Sequence, residues 1–127
     1  PMRLALDRYG SVWFTGNVKN QEWIGEANSG GAFFNAWPVP AYAPVAGNLP
    51  LGNPCGIAVK QEGGVYFTSY ASGTVGQIQP ASHPQTTPAL SLRPLPNAAA
   101  QPGDMTIADG MLWIVEDGTG EIAQFSL

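Results

Sequence analysis

This sequence has few charged residues, and their distribution argues against several classes of protein. Lys, Arg, Asp and Glu together make up 11% of its 127 residues, less than half the share usual in soluble domains. The five basic residues are scattered singly along the chain, and the formal net charge is −4. Nucleic-acid binding needs clustered positive charge that displaces counterions from the phosphates. We therefore expect no nucleic-acid partner.

Long hydrophobic runs, cysteine and histidine are equally scarce. No window of about 18 apolar residues occurs, so we expect no membrane span. Cys55 is the only cysteine, which excludes an internal disulfide. Paired-cysteine zinc spacing, a glycine-rich phosphate loop and a Ser-His-Asp set are also missing. No basic segment precedes an apolar run, so a signal peptide has been removed or lies outside these residues, and we expect an exported protein, periplasmic or extracellular.

The sequence is rich in internal repetition. Residues 1–15 align without a gap with residues 54–68, and residues 102–115 form a third copy that is one residue shorter. In each copy an apolar run and a glycine turn precede a second run that contains an aromatic residue: Val12-Trp13-Phe14-Thr15, Val65-Tyr66-Phe67-Thr68 and Leu112-Trp113-Ile114-Val115. Periods of about 50 residues are typical of propellers and related repeat folds.

Each complete repeat is predicted to form four short antiparallel strands. Sixteen Gly and twelve Pro favour turns over long helices, and two apolar runs joined by a glycine turn indicate a β-hairpin. We predict strands near residues 3–7, 11–16, 22–27 and 35–40, and again near 56–60, 64–69, 73–79 and 88–93. Four-stranded repeats of this length are β-propeller blades, and a β-sandwich with accidental similarity is the less favoured alternative.

The predicted fold is therefore all-β, a partial propeller of three repeats over residues 1–53, 54–101 and 102–127, the last incomplete. A closed ring of about four to eight blades needs roughly 200–380 residues at this repeat length. Exposed apolar blade faces are costly in water, so we expect other propeller blades, in the same chain or in other subunits, as partners. The repeated aromatics Trp13, Tyr66 and Trp113 should be buried between blades, along with Val12, Phe14, Val65, Phe67, Leu112 and Ile114.

The repeated pattern Pro-x-Gly-Ile-Ala-Val, Gly-x-Val-Trp/Tyr-Phe-Thr and Ile/Val-Gly-x-Ile resembles virginiamycin B lyase (streptogramin lyase) and related propellers over nearly the whole chain. The resemblance implies a ring of six or seven blades. For lyase members it implies linearisation of a cyclic depsipeptide antibiotic, with magnesium, glutamate ligands and a histidine acid/base at one end of the central channel. Family repeats commonly have Glu after Trp-Phe-Thr, a position that Gly16, Ser69 and Glu116 occupy here. Histidine, common two residues before the inner-strand Ile, is replaced by Cys55 in the second repeat.

In a blade of this type, the loop before the innermost strand and the loop after the second strand lie on the same face, at the channel mouth. The candidate ligand-binding residues there are Cys55, Tyr70, Asn17 and Asp104. Glu116 and Asp117 are the candidate metal ligands, because their oxygens suit magnesium, although a solvated loop is the interpretation we favour. The single histidine, His83, is predicted to lie on the opposite face.

Three functions remain open at this point. The leading hypothesis is a propeller scaffold or binding module for a small molecule or peptide, without catalysis from these residues alone. The second is a magnesium-dependent C–O lyase of the virginiamycin B lyase type, whose catalytic residues lie mostly in other blades. The third is a structural subunit, part of an oligomer, that docks through exposed blade edges.

Overall fold

The computed structural model of the protein describes residues 3–19, 21–28, 30, 34–39, 54–61, 64–70, 73–79, 89–97 and 99–127. Within these residues the strands form three antiparallel sheets, here called the first, second and third blades. The first blade contains β1 (Leu4–Leu6), β2 (Val12–Val18), β3 (Gln21–Ala27) and β4 (Phe34–Pro38). The second contains β5 (Pro54–Val59), β6 (Val65–Ser69), β7 (Thr74–Gln79) and β8 (Ala89–Pro94). The third contains β9 (Pro102–Ala108), β10 (Met111–Glu116) and β11 (Glu121–Ser126).

The all-β prediction is confirmed, and the strands of the first two blades lie within two residues of the predicted positions. Each blade is a meander in which consecutive strands pair. No helix occurs in the described part of the chain, and so none there is long and apolar enough to cross a membrane. β5 begins at Pro54, two residues earlier than predicted, and is bulged before Ile57. A proline is tolerated as the first residue of a strand because its missing amide breaks no interior hydrogen bond of the sheet.

Tight packing within the first two blades depends on a glycine beneath a phenylalanine ring. Phe14 lies opposite Gly25 across β2 and β3, and Phe67 lies opposite Gly76 across β6 and β7. A Cβ atom on either glycine would overlap the facing ring. Glycine is therefore required here for close approach, and not for an unusual backbone conformation.

Two hydrophobic clusters hold the three blades together. The one between the first and second blades consists of Trp13, Ile24, Val39, Ile57, Val65, Phe67 and Ile78. The one between the second and third blades consists of Ala58, Tyr66, Val75, Leu95, Ala100, Met105, Leu112 and Ile114. Since burial of apolar surface contributes about 25 cal/mol per Å², these clusters are the main source of cohesion between blades.

The same repeat positions point in the same direction in every blade. We call the side of a blade that points towards the next blade in sequence its forward face, and the opposite side its rear face. Trp13 and Tyr66 pack forwards, whereas Phe67 and Ile114 pack rearwards. Because side chains alternate between the two sides of a strand, Trp113 lies on the forward face of the third blade and Phe14 on the rear face of the first.

This arrangement explains where the burial predictions hold and where they are wrong. Among the nine predicted core residues, six are buried: Trp13, Val65, Tyr66, Phe67, Leu112 and Ile114. Val12 and Phe14 are half-buried and Trp113 is exposed. These three lie on the rear face of the first blade or the forward face of the third, which no other blade in the described part of the chain covers.

Candidate functional site

The channel-mouth face, as we use the term, consists of the residues around the start of each inner strand and those just after each second strand. The structure brings these two sets together, as the blade topology predicts. Asp117, after β10, donates its amide to the carbonyl of Gln101, just before β9, at 3.1 Å. The side chain of Tyr70, after β6, reaches the same residue. Contacts within the third blade and contacts between the second and third blades therefore both contribute to this face.

Thr68 anchors the inner strands of the second and third blades at this face. Its buried hydroxyl accepts a hydrogen bond from the amide of Gly56 at 2.8 Å and donates one to the carbonyl of Gly103 at 2.7 Å. Thr15, at the same repeat position, accepts a hydrogen bond from the amide of Arg3 at 3.2 Å. A buried polar group costs little only when it is paired, so this repeated threonine fixes where each inner strand begins.

Tyr70, predicted as a ligand-binding residue, is half-buried beside Gln101. Its hydroxyl donates a hydrogen bond to Oε1 of Gln101 at 3.3 Å. Gln101 has a positive φ of 45°, a conformation uncommon for residues other than glycine. Gln101 was not predicted as a candidate site residue. A usable signal was present, because an amide residue precedes the proline at the start of the inner strand in both the second and third repeats, Asn53-Pro54 and Gln101-Pro102.

Glu116 and Asp117, the predicted metal ligands, differ in environment. Glu116 is buried, and its Oε2 accepts a hydrogen bond from the hydroxyl of Thr119 at 2.9 Å. Asp117 is exposed and faces Gly103, where an added Cβ would lie 2.9 Å from Oδ2. The turn that carries both is fixed by Gly118, whose amide donates to the carbonyl of Ala100 at 2.9 Å. A side chain at position 118 would overlap the carbonyl of Ala99.

Asp104, another predicted ligand-binding residue, forms an ion pair with Arg3 from the first blade. The distance from Nη2 of Arg3 to Oδ2 of Asp104 is 3.7 Å, and both side chains are more than half exposed. Oδ1 of Asp104 also accepts the amide of Met105 at 3.0 Å. An ion pair this exposed stabilises a fold very little, and solvent reaches both charged groups.

For Asn17 and Cys55, two further predicted residues, only the position of the backbone is described. Asn17 lies in β2 opposite Glu22, and Cys55 lies in β5 within the bulge that follows Pro54. Their strands put both residues at the channel-mouth end, while their side chains lie outside what the structure describes. His83 lies outside the described residues altogether.

The described carboxylates do not make a magnesium site on their own. No group of three or more His, Cys, Asp or Glu side chains in the described part of the chain is arranged to hold a metal ion. Glu116 accepts a hydrogen bond from Thr119, and Asp104 forms an ion pair with Arg3. Because magnesium favours near-octahedral oxygen coordination, further ligands would have to come from other residues.

No protein-family model matches this sequence, and no curated protein is significantly similar to it. Solved structures do match. A streptogramin B lyase is 25% identical with a TM-score of 0.68, over 98% of this chain and 39% of that chain. A catalytically inactive virginiamycin B lyase from Staphylococcus aureus with quinupristin is 24% identical with a TM-score of 0.70, over 99% and 41%.

The same blades also match a putative 6-phosphogluconolactonase from Bacteroides uniformis, at 13% identity and a TM-score of 0.71, over 98% of this chain and 38% of that one. Propellers with different names therefore share this architecture, so the match shows fold and not activity. The chain spans about two-fifths of the length of each of these proteins. The predicted resemblance is confirmed at the level of fold: these residues form a partial β-propeller like that of the virginiamycin B lyases.

Proposed function

We propose that this chain supplies three blades of a β-propeller scaffold that binds a small molecule or peptide at its channel-mouth face. The observation that carries the proposal is the convergence of polar side chains from all three blades. Arg3 of the first blade meets Asp104 of the third, and Tyr70 of the second meets Gln101. Binding sites typically combine a few convergent polar groups with aromatic surface, and this face has both.

The chemistry of these groups favours a ligand with amide character. Arg3 donates hydrogen bonds and Asp104 accepts them, while Tyr70 offers an aromatic ring and a hydroxyl. A peptide bond carries one donor and one acceptor, and apolar side chains can lie on an aromatic ring. Quinupristin, present with the related virginiamycin B lyase, is the probe we choose for this class.

Calorimetric titration of the chain with quinupristin tests the proposal. We expect measurable binding that weakens by about fivefold or more in Arg3→Gln, because one charge-assisted contact is lost. Arg93→Gln is the matched control, since Arg93 is an exposed arginine in the outermost strand of the second blade. Equal affinities for the two variants would contradict binding at the channel mouth.

A lyase activity is the second candidate, and Glu116 is the observation that favours it. Glu116 occupies the position where lyase-type repeats commonly carry glutamate, and the chain spans only about two-fifths of the lyase structures. Other blades would then supply the histidine and the remaining carboxylates. Incubation with quinupristin and magnesium, followed by chromatography, should show no conversion by this chain alone. Conversion that disappears in Glu116→Gln would favour the lyase over the binding module.

A further inference from the structure

Gln101 is held at the channel-mouth face by both its backbone and its side chain. Its carbonyl accepts a hydrogen bond from the amide of Asp117 at 3.1 Å, and its Oε1 accepts one from the hydroxyl of Tyr70 at 3.3 Å. The same oxygen lies beside Gly118, where an added Cβ would come within 3.1 Å of it. Residues of the second and third blades therefore fix how this half-buried side chain is placed.

The backbone conformation of Gln101 is unfavourable for a residue with a side chain. Its φ of 45° lies in the left-handed region, which glycine adopts without steric cost. The bond from Tyr70 offsets little of this cost, because 3.3 Å is longer than the usual O–H···O range of about 2.5–3.0 Å. A turn alone would be better formed by glycine, and residues held in such conformations cluster at functional sites.

The side-chain nitrogen of Gln101 is not used by the fold. Because Oε1 faces Tyr70 and Gly118, and Nε2 is bonded to the same carbon, the nitrogen faces away from both. No residue in the described part of the chain accepts a hydrogen bond from Nε2. A primary amide carries two N–H donors, so a ligand on this face meets a donor whose direction is set by Tyr70.

We propose that Gln101 recognises a carbonyl oxygen of the bound ligand through Nε2, and that Tyr70 positions Gln101 for this contact. The inference rests on the proposed binding function, and it names the group that the ligand must present. Arg3, the charged donor of the same face, already faces Asp104 at 3.7 Å and would suit a carboxylate. The uncharged donor of Gln101 instead suits the carbonyl of a neutral amide, as in a peptide.

Calorimetric titration of Gln101→Glu with quinupristin tests this recognition. Glutamate keeps the side-chain length and an oxygen that accepts from Tyr70, but it replaces the N–H donors with an oxygen that repels a carbonyl. We expect the Kd to rise about tenfold or more, because the ligand carbonyl loses its donor. Gln61→Glu makes the same change at an exposed turn residue of the second blade and should leave the Kd unchanged. An unchanged Kd in Gln101→Glu would overturn the proposal.

Gln101→Gly separates the role of the side chain from that of the turn. Glycine adopts a positive φ freely, so the midpoint of urea unfolding should not fall. The Kd for quinupristin should nevertheless rise about fivefold or more, since the donor is lost. A glycine variant that binds quinupristin as tightly as the unmodified chain would show that Gln101 only shapes the turn, and would overturn the proposal.

Tyr70→Phe, measured in two backgrounds, tests the positioning role. In the unmodified chain we expect the Kd to rise about threefold, because the amide of Gln101 is no longer oriented by a hydrogen bond. In Gln101→Gly the same change should have no further effect, since coupled residues are not additive. Equal effects in both backgrounds would mean that the hydroxyl acts independently of Gln101, and would overturn the positioning role.

Arg3→Gln keeps these results separate from the proposed function. Quinupristin binding that weakens in Arg3→Gln but not in Gln101→Glu overturns only the recognition by Gln101. An unmodified chain with full strand content by circular dichroism that does not bind quinupristin contradicts the binding module itself.

Discussion

The second blade packs against a neighbour on both faces, whereas the first and third blades each pack on one. Every residue of β6 is buried, while its counterpart β10 alternates between buried and exposed positions. The two strands carry equivalent runs, Val-Tyr-Phe-Thr and Leu-Trp-Ile-Val. The repeat therefore determines which way a side chain points, and the neighbouring blade determines whether it is buried.

Phe67→Ala should be the most damaging change. Phe67 is fully buried between two blades, and removing such a ring costs about 3–5 kcal/mol. Phe14→Ala is the matched variant, because Phe14 has the same repeat position but is only partly buried, so it should cost clearly less. Urea unfolding followed by circular dichroism at low protein concentration measures both. Equal losses would mean that the covering blade contributes nothing to this position.

Gly76→Ala should cost about 1–3 kcal/mol, the usual penalty of overpacking. The new methyl group would overlap the ring of Phe67. Gly16→Ala is the control, since a Cβ there meets nothing within 4 Å. The same urea titration compares the two. A neutral Gly76→Ala would show that the Phe67 ring can move aside without loss.

Thr68→Val should cost about 2 kcal/mol, because two hydrogen bonds worth about 1 kcal/mol each are lost while the side-chain shape is kept. The reciprocal change, Val115→Thr, places a hydroxyl on the open forward face of the third blade and should be near neutral. Amide hydrogen exchange at Gly56 adds a local measurement, since its amide loses its acceptor. Unchanged protection of that amide in Thr68→Val would contradict the anchoring role.

Asp104→Asn should have the smallest effect on stability, at most about 1 kcal/mol, because its ion pair with Arg3 is exposed. Its free energy of unfolding in low and high salt should differ little from that of the unmodified chain. A loss comparable to that of Thr68→Val would show that the pair is important for holding the first and third blades together.

The strands were predictable from sequence because propeller blades repeat a local pattern. An apolar run, a glycine turn and a second run specify a hairpin without long-range information, and three copies in register remove most of the ambiguity. Burial was less predictable, because Trp113 and Trp13 occupy the same repeat position but have different surroundings. Trp13 stacks on Trp37 of β4 and packs against the second blade, whereas the described part of the third blade has neither contact. Exposure depends on the assembly, which a single repeat does not encode.

The candidate site was predictable in position and less so in detail. Tyr70, Asp104, Glu116 and Asp117 were placed at the channel mouth by topology, since loops at the same end of a blade must lie together. Their partners could not be derived in the same way. Gln101, which accepts a hydrogen bond from Tyr70, has a positive φ. Thr119 donates to Glu116 within a turn where Gly118 donates its amide to Ala100. Such conformations depend on close contacts between loops and not on residue pattern.

The ring-over-glycine packing of the first two blades limits how a duplicated blade can diverge. The third blade has Ile114 opposite Ala123 at the place of the phenylalanine and glycine. Compared with the first two blades, the third has an additional methyl group on one strand and an aliphatic side chain instead of a ring on the other, so the pair has approximately the same volume. Starting from Phe67 and Gly76, either single step is unfavourable, since Gly→Ala creates overlap and Phe→Ile opens a cavity. A blade can change from the Phe–Gly pair to the Ile–Ala pair only if the rest of the fold is stable enough to tolerate one substitution without the other. The two positions should therefore change together.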